Sequence, residues 1–154
     1  MGITERSGHE NDMNQAATTP PPSTAGYGFH CGLKATDFAQ AVTLVTEALK
    51  AEGFGVLTDI DVQATMKAKL DADLQPYLIL GACNPPLAYR ALQAEPSVGL
   101  LLPCNVIIRQ TDRGTVVEAI DPMTMVSVSA NPALQPVVDE VAGKLNAALA
   151  ALTI

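Results

Sequence analysis

Two Cys-Asn pairs hold most of the chemical potential of this sequence. Cys83-Asn84 closes the apolar run from Tyr77 to Ala82 and precedes Pro85, while Cys104-Asn105 follows Leu101, Leu102 and Pro103 and opens a second apolar run. A thiol that loses its proton is both a nucleophile and a soft ligand. Two of them could form a redox pair, carry sulfur as a persulfide, or hold a soft metal such as zinc or copper. Zinc would need two further ligands, and the usual C-x-x-C spacing is absent. A Cys83–Cys104 disulfide could add about 3 kcal/mol on the chain-entropy model, provided the Cα atoms come within about 7 Å. The plainer reading is that both are small buried residues, since free cysteine packs like a small hydrophobe. Each asparagine likewise has two readings: a polar group at the mouth of a ligand pocket, or a cap and main-chain partner where a strand turns.

His30 is the only histidine after His9. Gly28 and Gly32 flank it on one face of an alternating segment, which leaves room for a ligand to approach. Cys31 falls on the opposite face and reads as core, so the neighbouring imidazole and thiol are poorly placed to share a metal. The candidate ligand-binding set is therefore Cys83, Asn84, Cys104, Asn105 and His30, with Tyr89 and Arg90 as further polar groups; no metal, cofactor or catalytic residue is assigned. There is no phosphate loop, no nucleophile elbow and no Ser-His-Asp set, and Asp59, Asp61, Glu118 and Asp121 show no special pairing.

The elements that must position these residues follow from periodicity. Tyr27 to Leu33 alternates as a half-buried strand, and Thr36 with Asp37 opens a helix whose Phe38, Ala41, Val42, Val45, Ala48 and Leu49 recur at helical spacing up to Gly53. Phe54 to Ile60 is a second strand. Asp61 caps a short helix with an apolar stripe of Val62, Met66 and Leu70, in which Met66 reads as core. Tyr77 to Cys83 is a third strand, apolar on both parities, so both of its faces should be covered. A helix begins at Pro85 with Leu87, Ala88, Ala91 and Leu92 on one face, and Pro96 ends it. Leu100 to Gln110 is a fourth strand, joined through Asp112, Arg113 and Gly114 to a fifth, Thr115 to Asp121. Met123 to Val126 is apolar and of undecided type. A closing helix, starting at Asn131-Pro132 or at Gln135-Pro136, buries Val137, Val138, Val141, Leu145, Ala148, Leu149 and Leu152.

This order fits an α+β two-layer sandwich better than a doubly wound parallel sheet: a mainly antiparallel five-stranded sheet, two long helices on one face and two short helical inserts. An antiparallel arrangement would bring the two Cys-Asn pairs to the same sheet end; a parallel crossover would separate them. Residues 1–25, polar and carrying Pro20, Pro21 and Pro22, read as a disordered arm before a single domain at 26–152. A net charge of −7 argues against nucleic acid, and no apolar run reaches membrane-spanning length. The cytoplasm is the expected compartment, because the first residues lack the apolar core of a signal peptide.

Gly81-Ala82-Cys83-Asn84-Pro85 followed by Leu101-Leu102-Pro103-Cys104-Asn105 resembles the signature of the domain of unknown function 302 family. The likeness extends through Tyr27-Gly28-Phe29, Glu52 to Val56, Asp121-Pro122 and the closing helix, about residues 26 to 151. It implies a TATA-binding-protein-like architecture, a curved antiparallel sheet with helices on one face and commonly a dimer. It implies no reaction. The residues themselves suggest a small-ligand-binding domain, with a thiol-based redox, sulfur-carrier or soft-metal protein as the alternative, and a homodimer formed through the apolar outer face of the central strands.

Overall fold

Among the described residues, alternation and turn chemistry produce five strands: β1 (Gly28–Leu33), β2 (Gly55–Asp61), β3 (Tyr77–Cys83), β4 (Cys104–Thr111) and β5 (Gly114–Ile120). In this computed structural model, which describes residues 26–33 and 37–152, they form one open antiparallel sheet in the order β1-β5-β4-β3-β2. The expected N-terminal arm, with His9, and Thr36 lie outside the described residues. The β4–β5 hairpin turns on Asp112 and Arg113, with Gly114 at φ 125°, where a side chain would be strained. Thr111 Oγ1 donates to the Gly114 carbonyl at 2.8 Å and holds the turn shut.

Register sorts the side chains. Leu78, Leu80 and Ala82 of β3 face Ile108, Val106 and Cys104 of β4, and these continue into Val117 and Ala119 of β5 and Cys31 of β1 as one buried layer. The helices cover that face. α1 (Phe38–Ala51) starts where Asp37 Oδ1 accepts from the Gln40 amide at 2.8 Å. It ends in a Schellman turn: the Gly53 and Phe54 amides donate back to the Lys50 and Leu49 carbonyls, with Gly53 at φ 84°. Ala41, Val45 and Leu49 form its buried stripe. α5 (Gln135–Ala150) buries Val137, Val138, Val141, Leu145, Ala148 and Leu149, as the spacing predicts. Both proposed starts are used, because Asn131 Oδ1 caps a 3-10 turn, Pro132–Leu134, that runs directly into α5.

The structure settles one segment the sequence leaves undecided, which makes three short helices among the described residues where two are expected, and differs from the sequence reading in two further places. Met123–Ser129 is a helix, α4, started by the Asp121 carboxylate, which accepts from the Met123 amide at 2.9 Å. Pro96–Leu101 is a 3-10 turn after helix α3 (Pro85–Ala94), and strand β4 begins at Cys104 rather than Leu100, because Pro103 has no amide to give a ladder. Helix α2 (Val62–Leu70) has no buried residue: Leu70 is exposed and Met66 only half-buried, so Met66 is not core. α2 begins at the residue after edge strand β2, and its main tertiary neighbour is β3.

Candidate functional site

The antiparallel β3–β4 pairing brings the two Cys-Asn motifs to one end of the sheet: Cys104 stands opposite Ala82, the residue before Cys83, and Asn105 opposite Gly81. Both cysteines line a cavity of about 300 Å³ between that sheet end and the helices. Leu87 and Ala91 of α3, Met125 of α4, Leu134 of the 3-10 turn before α5, and Val137 and Val141 of α5 supply much of its wall, and among the described residues no charged side chain contributes. Three of its lining residues are the small Ala82, Ala88 and Ala91, which leave space that larger side chains would fill.

All three cysteines are free thiols. Burial pushes the Cys104 thiol up to about 11, with the nearby Cys83 adding to the shift, and burial also raises Cys83. Cys31, in the core under β1, is likewise pushed up to about 11. With no cation in the cavity wall to hold a thiolate, Cys83 and Cys104 are protonated at neutral pH. Among the described residues, no three His, Cys, Asp or Glu side chains gather closely enough to hold a metal ion.

Asn84 occupies the residue before α3, as its sequence position suggests, but its side chain does not cap that helix. Its Nδ2 instead donates to the Glu52 carbonyl at 3.2 Å, at the end of α1. Gly53 makes room for this, since a Cβ there would lie 3.0 Å from Asn84 Nδ2. Asn84 thus ties the Cys83 motif to the far end of α1. Asn84→Ala is expected to lower stability by about 1 kcal/mol, the worth of one neutral hydrogen bond, measured as a shift of the urea midpoint at constant slope.

The other candidates fall elsewhere. Asn105 is exposed on the uncovered face of the sheet, beside a hollow bordered by Tyr27, Tyr77, Arg109 and Glu118. His30 is exposed on that same face, opposite Glu118, and borders a separate hollow next to Asn146 of α5. Tyr89 points to solvent, and Arg90 Nη1 donates to Glu140 Oε2 at 2.6 Å. The site therefore unites Cys83, Asn84 and Cys104 and leaves Asn105, His30, Tyr89 and Arg90 outside its wall. Sequence reasoning missed Met125, Leu57 and the role of Val137 and Val141. The last two were marked as buried by their spacing, which does not distinguish packing against the sheet from lining a void.

Among the described residues, no helix is long and apolar enough to cross a membrane. No curated protein matches the chain. A crystal structure of an uncharacterized conserved DUF302 protein from Bacillus stearothermophilus is similar, with TM-score 0.77 and 29% identity over 83% of this chain and 99% of that one. The family model described as "Domain of unknown function DUF302" matches residues 29–152, which includes both Cys-Asn motifs and every strand but the first residue of β1. On that span, the chain belongs to the DUF302 family.

Proposed function

We propose that the chain binds a small, uncharged, apolar molecule in the cavity beside Cys83 and Cys104. The observation that carries this reading is the cavity wall: about 300 Å³ of space with apolar walls, two neutral thiols and no charged side chain. That volume is at the lower end of ligand pockets, and such walls reward removal of apolar surface from water while giving a charged group nothing to pair with. Asn84 contributes by fixing the loop, since its Nδ2 donates to the Glu52 carbonyl.

Nile red, a neutral dye that brightens in apolar surroundings, tests the reading on the reduced protein. Binding with a blue-shifted emission is expected, and Ala91→Phe, which fills the cavity from α3, should weaken it by about tenfold or more. A parent chain that leaves the dye unshifted, or an Ala91→Phe variant that folds and binds equally well, would sink the proposal. Replacing Cys83 and Cys104 together by serine should leave dye affinity within about threefold, because serine nearly conserves their volume.

A second reading has one observation in its favour: the Met125 thioether lines the same cavity as the two thiols, so three soft donors border one space. A copper(I) ion bound by the parent chain and lost in the double serine variant would shift the function to soft-metal binding. Two copies could pair through the uncovered sheet face, where Tyr77, Ile79 and Ile107 are only half-buried and Ile60 is exposed. Native mass spectrometry of the reduced protein, compared with its denatured mass, reads the oligomer and any retained ligand together.

A further inference from the structure

The cavity has a mouth, and its position follows from exposure. Of the residues lining it, Leu57 is 66% exposed and Leu92 is 39% exposed; every other one is buried or half-buried. The opening therefore lies between edge strand β2, which carries Leu57, and helix α3, which carries Leu92. A second hollow adjoins the cavity along Asn84 and Leu87, but there Leu87 is buried and the Asn84–Glu52 hydrogen bond closes the wall.

Leu57 reaches that mouth because of an irregularity in β2. Val56 pairs with Ala82 and Thr58 with Gly81, so two consecutive residues of β3 face positions 56 and 58, and Leu57 is left without a partner. This is a bulge. In an unbroken ladder Leu57 would stand opposite Gly81 and turn to the uncovered face of the sheet, and Thr58 would oppose Leu80 in the core. The extra residue keeps Val56 with the core, sends Thr58 to the uncovered face against Gly81, and frees Leu57 at the cavity's edge. The bulge thus keeps Thr58 out of the core, and the leucine it frees is 66% exposed, so that leucine itself gains little for folding.

We propose that Leu57 and Leu92 form an apolar gate over the cavity and that the bulge exists to place Leu57 there. The gate admits uncharged, apolar molecules, because the passage offers two leucine side chains and no polar partner. This inference rests on the cavity being the ligand site. A gate affects passage in both directions, whereas a wall contact affects only how long the ligand stays.

Stopped-flow mixing with Nile red separates these roles. Leu57→Ala and Leu92→Ala are each expected to raise the association and dissociation rates together by about fivefold, leaving the equilibrium affinity within about threefold. Leu57→Trp, the only tryptophan in the chain, should slow both rates, and its own emission should change when the dye occupies the cavity. Rates within about twofold of the parent in all three variants, or a change confined to dissociation, would overturn the gate. Because Leu57 and Leu92 are exposed, the alanine variants retain the core, and an unchanged urea midpoint verifies it. A parent chain that does not bind the dye overturns the binding reading and the gate with it; a parent that binds, with unaltered rates in the variants, overturns the gate alone.

Discussion

Gly81→Val is expected to lower the unfolding free energy by about 3 kcal/mol or more, at the top of the range for overpacked cores. A Cβ at this position would overlap Thr58 Oγ1 and lie 2.8 Å from Pro103 Cγ. The proline ring cannot rotate away, and Thr58 is held against Gly81 by the bulge at Leu57. Relief must come from separating β2 from β3 or lifting Pro103 off the sheet, and the second movement displaces the Cys104 motif that follows Pro103. The loss should appear as a lower urea midpoint at unchanged slope. Gly81→Ala should cost less, and Thr58→Ala in that background should recover only the part due to the threonine, with the Pro103 contact remaining. A Gly81→Val protein with the parent midpoint would show that Pro103 does not pack on β3.

The glycine at this position illustrates what could be read in advance. The Gly81-to-Pro85 and Leu101-to-Asn105 motifs were legible as a pair, and the antiparallel topology that joins them followed from the hairpin at Gly114 and the two flanking helices. Long apolar segments were equally plain: β3 spans Tyr77–Cys83 as expected, although among the described residues the helices cover only one of the two faces expected to be covered, and the stripe of α5 is buried at every position but Leu152, which is half-buried. Helix α4 was not legible because its residues are apolar and partly β-branched, and its start depends on the Asp121 carboxylate rather than on a pattern within it. The bulge was invisible, since an extra residue in an edge strand leaves no mark in residue types.

The split of the Cys104-Asn105 pair was available but overlooked. Adjacent residues in a strand face opposite sides, which separates Cys104 from Asn105 by the same rule that separates Cys31 from His30. Cys83 and Asn84 escape the rule because the strand ends at Cys83, and Asn84 turns inward to reach Glu52. That partner is 32 residues earlier in the chain, too remote for any local pattern to suggest. The site is therefore built from one strand end, one strand start and three helices, and sequence motifs marked only its sheet side.

Raising the pH from about 9 to about 11 is expected to remove about 2–3 kcal/mol of stability through Cys104 alone. The unfolded thiol gives up its proton near the ordinary 9.0, while the folded one keeps it to about 11. Between those values the unfolded chain binds fewer protons than the native one, so stability falls as the pH rises; below 9 the contribution is fully present. Cys31 moves in the same direction by the same cause. Tyrosines and lysines titrate over this window too, so the measurement is the difference in pH slope between the parent and Cys104→Ala, which should be shallower. The same burial governs reactivity. At neutral pH the Cys104 thiolate is scarcer than that of an ordinary cysteine by roughly a hundredfold, and since a higher-pKa thiolate is the better nucleophile by roughly tenfold, reaction with an aromatic disulfide reagent should be slowed by about tenfold or more. A Cys104 that reacts as fast as free cysteine would mean that the cavity stabilises a thiolate, and thiol chemistry would displace the binding of an apolar molecule as the function of this site.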